Sequence, residues 1–280
     1  MDRELQRAGK AGDAGLVRVA AVGDVHVGLD MRGELRRSFA TVRDRADVLL
    51  IAGDLTQHGS REEGRLMAEE IAEVGIPAVA VLGNHDYHQD AQDAIRADLE
   101  RAGVIVLEGE NVVLEIKGHR IGIAGVKGFG GGFAGACGSE FGELEMKAFI
   151  RHTKDKARQL LHCLNALDCD VRIALTHYAP TKDTLLGEKL EIYPFLGSYL
   201  LGEAIDEAGC ALALHGHAHH GSERGITSGG VPVRNVAKPL IKSAYQIFSV
   251  RAHHGRDDAS AWATVTEDER APTTARASIP

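Results

Sequence analysis

Three kinds of residue are scarce in this chain, and each scarcity closes off a class of protein. Positive charge falls short: 32 Lys and Arg stand against 40 Asp and Glu, for a formal net charge of −8. That balance offers no broad basic surface for a nucleic-acid backbone. Cysteine is sparse, and Cys137, Cys163, Cys169 and Cys210 are scattered with no C-x-x-C pair. Such usage fits reduced thiols rather than a disulfide framework, so a cytoplasmic setting is expected. Aromatic residues make up only 5% of the 280 residues against 44% hydrophobic overall, which implies an aliphatic core. Long apolar runs are missing too. None approaches the roughly 18 residues of a membrane span, and the opening MDRELQRAGKAGDAG has no apolar signal core.

What is present is a regular alternation. Between a lead-in at 1–15 and a polar tail at 268–280, both expected to be flexible, short apolar runs alternate with amphipathic stretches. The runs are LVRVAAV (16–22), DVLLIA (47–52), PAVAVL (77–82), GVIVL (103–107), VRIALT (171–176) and CALALH (210–215). Helical patterns fall at about 34–46, 60–74, 90–102, 143–167 and 198–208. NVVLEIKGHRIGIAGV (111–126) reads as a β-hairpin turning at Lys117-Gly118. From Glu223 to Thr266 only strand-like runs occur, so antiparallel strands are expected to join late. The reading is one α/β domain over 16–267 with a mixed sheet.

The chemistry sits at the end of each run. After 16–22 comes GDVHVG, with Asp24 and His26; after 47–52 comes GDLTQHG, with Asp54; after 77–82 comes GNHD, with Asn84, His85 and Asp86. His177 comes directly after 171–176, and GHAHHG with His217 and His219 after 210–215. Ligands bind beyond the carboxyl ends of strands in α/β sheets, so these residues converge on one patch. Asp24 and His26, like His217 and His219, are two apart, a spacing that in extended backbone puts both side chains on one side. Two aspartates, one asparagine and four histidines mix hard oxygen with borderline nitrogen donors, which suits manganese, iron or zinc. Seven ligands are too many for one tetrahedral ion. They suit two ions about 3.5–4 Å apart that share a bridging carboxylate.

The series D-x-H, G-D, G-N-H-D, H and G-H-x-H, in that order over residues 16 to about 220, resembles the calcineurin-like metallophosphoesterases. The resemblance implies a four-layer α/β/β/α sandwich of two mixed sheets flanked by helices, with the metal site at the strand C-terminal ends. It also implies roles: Asp24, His26 and His219 around one metal, Asn84, His177 and His217 around the other, and Asp54 bridging them. His85 would face the substrate and Asp86 would orient it. Asn84 would then bind through its amide oxygen without adding negative charge, while His85 donates a proton to the leaving oxygen. GNHD in place of G-N-H-E, and GDLTQHG in place of G-D-x-V-D-R-G, resemble the phosphodiesterase branch more than the protein phosphatases. The implied substrate is a small phosphate ester. Phosphomonoesterase or protein phosphatase activity, a nuclease, or a non-catalytic scaffold of the same fold remain as alternatives.

Plainer readings stand beside these. Asp86 could cap a helix starting near Gln89. His58, His88 and His220 read as solvated rim residues, and His215 as the satisfied end of a core strand. VKGFGGGFAGACG (126–138) lacks both G-K-[ST] and G-x-G-x-x-G at a strand–helix turn, so it reads as a mobile loop and not a phosphate cradle. With 179–197 it is expected to shape the substrate pocket.

Overall fold

A computed structural model describes residues 15–251 and the backbone of 265–270. Two six-stranded sheets lie face to face. The first runs β14-β13-β1-β2-β3-β4, where β1 is Leu16–Val22, β2 Val48–Ala52, β3 Ala78–Val81, β4 Val104–Val106, β13 Gln246–Arg251 and β14 Val265–Arg270. The second runs β11-β12-β10-β9-β6-β5, from β5 Glu110–Ile116, β6 His119–Val126, β9 Val171–Thr176, β10 Leu212–His215, β11 Arg224–Ile226 and β12 Pro232–Asn235. A two-stranded hairpin, β7 Gly132–Phe133 with β8 Ala136–Cys137, stands apart.

The period-2 alternation of each strand divides the core. Val17, Val19 and Ala21 of β1 meet Ile123, Ile173 and Leu214 of the second sheet in the seam between sheets. Ala20 and Val22 face the other way, onto Leu35 and Phe39 of α1 (Glu34–Phe39), Leu66 of α2 (Arg61–Ile71) and Ile95 of α3 (Gln92–Arg101). The outer face of the second sheet, with Ala124, Ala174 and Ala213, is covered by Leu160 and Leu164 of α4 (Leu144–Asn165) and Ile205 of α5 (Tyr199–Ala208). Alanines on that face let the helices approach the strands closely. The result is the expected α/β/β/α sandwich.

Parallel pairing of β1 to β4 and of β6, β9, β10 and β12 sets most strand C-termini at one edge. The hairpin turns where expected, with Lys117 at φ 51° and Gly118 at φ 80°, the two positive values of a type I′ turn. Three details differ from the sequence expectation. The helix expected over 34–46 breaks after Phe39 into α1 and a separate turn, Val42–Arg45. Lys238–Ile241, in a region expected to be all strand, forms a helical turn, because Pro239 near its start presets helical φ. The strand β14 runs to Arg270 and so takes in the first three residues of the expected tail. Residues 1–14 and 271–280 lie outside the described residues.

Candidate metal centre

The residues singled out from the strand ends gather into three touching groups. Ligand atoms of Asp24, His26 and His219 lie within 4.8 Å of one another, as do those of His26, Asp54 and His85, and those of Asp54, His177 and His217. Asp54 and His26 each belong to two groups. The Asp24 and His26 backbones are not extended, as the same-side argument required. They adopt left-handed φ of 54° and 45°, and Asp54 and His217 do likewise at 51° and 71°. This conformation is uncommon for residues other than glycine, and strained backbone concentrates at functional sites. The sharp turns re-aim the side chains, and the two histidines of GHAH part company: His219 joins Asp24, and His217 joins His177.

Donor geometry supports a cation pair. Nδ1 of His177 donates to the carbonyl of Ala52 at 2.9 Å, so Nε2 carries the lone pair. That Nε2 lies 2.9 Å from Oδ1 of Asn84 and 3.4 Å from Oδ1 of Asp54. Burial holds His177 well below the usual imidazole range, so three acceptors face one another with no proton between them. A shared cation resolves that arrangement. The other carboxylate oxygen of Asp54, Oδ2, lies 3.8 Å from Nε2 of His26 and 3.9 Å from Nε2 of His85. Among the described residues the ion pairs of Asp24 and Asp54 are with histidines alone.

Burial pushes Asp24 up to about 6 and holds His26 down to about 4 and His217 down to about 3. His26 and His217 are therefore neutral donors at neutral pH. His219 is the exception: the hydrogen bond from its Nε2 to Oδ1 of Asp24, 2.9 Å, raises it. That pair shares a proton, which a bound cation would displace.

Asp86 does not touch the ring of His85. The orienting bond runs from His85 Nδ1 to the carbonyl of Gln57, 2.7 Å, and His85 N donates to Oδ1 of Asp54 at 2.8 Å. Asp86, fully buried, instead accepts from the backbone of Leu55, Thr56 and Gly83 and from Thr56 Oγ1. The orienting role implied for it thus belongs to Gln57, and Asp86 joins the loop after β2 to the loop after β3. It caps no helix, because α3 starts only at Gln92. His58 pairs with Glu63, His88 stacks on His85 at 4.4 Å between centroids, and both ring nitrogens of buried His215 have partners.

Residues beyond the sequence motifs also enter the site. Nε2 of His217 donates to the carbonyl of Phe195 at 3.2 Å, and the Tyr178 ring packs on His217 at 4.4 Å. Carbonyl partners such as Ala52, Gln57 and Phe195 carry no residue-type signal. The two loops expected to shape the pocket are bonded to each other, by Gly131 N to Pro194 O and Gly132 N to Gly197 O, rather than lying free.

The profile of the calcineurin-like phosphoesterases matches residues 17–221. A stretch of 86 residues is 35% identical to a probable cyclic nucleotide phosphodiesterase of Synechococcus sp., covering 27% of this chain and 34% of that protein. A stretch of 146 residues is 29% identical to a UPF0046 protein of Caenorhabditis elegans, covering 50% of this chain and 46% of that one. The chain thus spans less than half the length of either curated relative. The crystal structure of phosphopantetheinyl hydrolase from Mycobacterium tuberculosis is similar in fold, with a TM-score of 0.57 at 14% identity over 90% of this chain and 96% of that one.

Proposed function

The chain belongs to the calcineurin-like phosphoesterases, and on that premise we propose that it is a two-metal phosphodiesterase acting on a small phosphate ester. The observation that carries the reading is Asp54, whose Oδ1 faces His177 and whose Oδ2 faces His26 and His85. One carboxylate turned toward two imidazole groups is what a bridging ligand requires. Asp24, His26 and His219 would hold one cation, and Asn84, His177 and His217 the other. Manganese, iron and zinc all suit the donor set. When bound, the pair supplies the charge that polarises phosphoryl oxygens and the acidity that makes water a nucleophile near neutral pH.

The chain's own residues do the rest. The Gln57 carbonyl keeps one proton of His85 on Nδ1 and leaves Nε2 facing the Asp54 carboxylate. In its doubly protonated form the ring hands the Nε2 proton to the departing ester oxygen and keeps the one on Nδ1, help worth about 10²–10⁴-fold. Asn84 contributes an uncharged oxygen, which spares an anionic substrate a further repulsion. Preference for a diester rests on the G-N-H-D motif and on the likeness to the Synechococcus protein named as a probable cyclic nucleotide phosphodiesterase.

The test is manganese-supported hydrolysis of an aryl phosphodiester against an aryl phosphomonoester, with Asp54→Asn as control. Diester cleavage that dominates and disappears in the variant supports the proposal. Dominant monoester cleavage overturns the diester preference and directs attention to a phosphatase.

A further inference from the structure

The stretch VKGFGGGFAGACG contains a lysine that the metal centre leaves unused. Lys127 follows directly on β6, and only 9% of it is exposed. Its backbone is held on both sides: its carbonyl accepts from His177 N and Tyr178 N, each at 3.0 Å, and Gly128 turns left-handed at φ 81°. The side chain reaches from the second sheet to the loop after β3, where Nζ lies 3.8 Å from the centroid of the Tyr87 ring. Among the described residues that ring face is its partner, with no hydrogen bond or ion pair beside it. The carboxylate in range, Glu108, is committed elsewhere, accepting from Leu82 N at 3.0 Å and from Tyr87 OH at 3.3 Å.

An ammonium has three protons to donate, and a buried cation that donates none is costly. A ring face attracts the charge but accepts no full set of hydrogen bonds. Burial accordingly works to hold Lys127 below the usual lysine range, against the pull of Glu108. Nζ is not among the side-chain nitrogens closed off from solvent without a hydrogen bond, so it opens onto free space. The surrounding charges place that space. Glu108 and Lys156 act on Lys127 most strongly, Asp54 and Asp86 less, so the ammonium stands beside the metal centre. Lys156 and Lys127 also act on His152, and the His152 ring meets Phe129 edge-on at 4.6 Å. Three basic groups thus gather on one side of the centre in a chain of net charge −8. The phosphoryl group under attack has the two cations for its oxygens. Lys127, set outside them, is left for another anion.

We infer that Lys127 receives a second anionic group of the substrate, a phosphate or a carboxylate carried a few bonds from the phosphorus under attack. The inference rests on the phosphodiesterase reading for what occupies the metal centre. Hydrogen bonds between an ammonium and an anion are charge-assisted, and they should favour such an ester over a neutral one about 10- to 100-fold. Lys127 is then a specificity-determining residue, and Tyr87, tied to Glu108 through its hydroxyl, keeps the ammonium aimed while it waits.

The experiment uses the whole chain with manganese and the p-nitrophenyl phosphodiesters of propanol, 3-hydroxypropanoate and propanediol monophosphate, whose free ends are a methyl, a carboxylate and a phosphate. At least one anionic ester should exceed the propyl ester in kcat/KM about 10- to 100-fold, chiefly through KM, and the two arms tell carboxylate from phosphate. Lys127→Met should bring that ratio to about one, whatever it does to the rate on the propyl ester, and Lys127→Arg should keep most of it. A merely structural clip would move all three esters together. Equal kcat/KM for the three in the natural protein overturns the inference, and so does a preference that survives Lys127→Met. Calorimetric binding of propanediol bisphosphate against propyl phosphate, on the natural protein loaded with manganese, reads the same preference without turnover or a variant. Cleavage of all three esters with no preference sinks this inference alone. No cleavage of any diester sinks the phosphodiesterase reading, while the binding comparison still tests Lys127.

Discussion

Asp86 Oδ1 accepts from both the backbone N and the Oγ1 of Thr56, at 2.8 and 2.6 Å, in a fully buried pocket. With Leu55 N and Gly83 N on Oδ2, one carboxylate sets the spacing between the loop that carries Asp54 and the loop that carries Asn84 and His85. Asp86→Ala leaves three buried backbone donors without a partner. The expected cost is about 2–4 kcal/mol in urea unfolding, together with a fall in kcat. Unfolding that matches the natural protein would show the pocket is held by other contacts.

His85 is held by Gln57 and Asp54 through Nδ1 and its backbone N, and its Nε2 faces the centre. His85→Ala should lower kcat on the aryl diester about 10²–10⁴-fold while the metal content of the purified protein stays at that of the natural chain. Metal content falling along with kcat would make His85 a ligand instead.

Asp54→Asn removes one of the two charged oxygens that face the histidine groups. Manganese binding by calorimetry should weaken at both positions. Since a ligand bound only by the folded state stabilises it, manganese should raise Tm in the natural protein and barely move it in the variant. Two intact binding events in Asp54→Asn would remove the bridging role.

Far from the centre, Asp47 is gripped by Arg18 N and Nη2 at 2.8 and 3.2 Å and by Lys117 Nζ at 2.9 Å. Burial works against its charged form, but the bonds from Arg18 and Lys117 outweigh it and hold the carboxyl below the usual range. A group depressed by folding binds fewer protons in the folded chain than in the unfolded one. Its stabilisation is present above the unfolded value near 4 and is lost as pH falls through the lower folded value. Asp47→Asn should therefore cost about 1 kcal/mol at pH 7, and the difference should shrink below about pH 4 in metal-free urea titrations. A difference that does not change with pH would trace the effect to packing.

Much of this is legible in the order of residues, because alternation and strand-end chemistry are side-chain properties. The runs ending in Val22, Ala52, Leu82, Thr176 and His215 mark the edge where Asp24, Asp54, Asn84, His177 and His217 gather. What stays hidden depends on backbone. Nothing in the letters shows that Asp24, His26, Asp54 and His217 turn left-handed, or that the carbonyls of Ala52, Gln57 and Phe195 orient three histidines. Asp86 misleads for the same reason: its neighbour in sequence is His85, but three of its four bonds reach partners 30 and 31 residues away. The division of strands between two sheets is likewise implied only by family resemblance, since both faces of β2 are buried and periodicity says nothing there.

The seven candidate ligands are shared between the two sheets. Asp24, His26, Asp54 and Asn84 come after strands of one, and His177, His217 and His219 after strands of the other. Between those sheets lies a seam of aliphatic side chains with no direction of its own. A pair of cations held across the edge would act as a rivet on that seam, joining the two layers. Loading the centre would then stiffen the whole sandwich as well as equip it, and a chelator should loosen the sheets before it unfolds either of them.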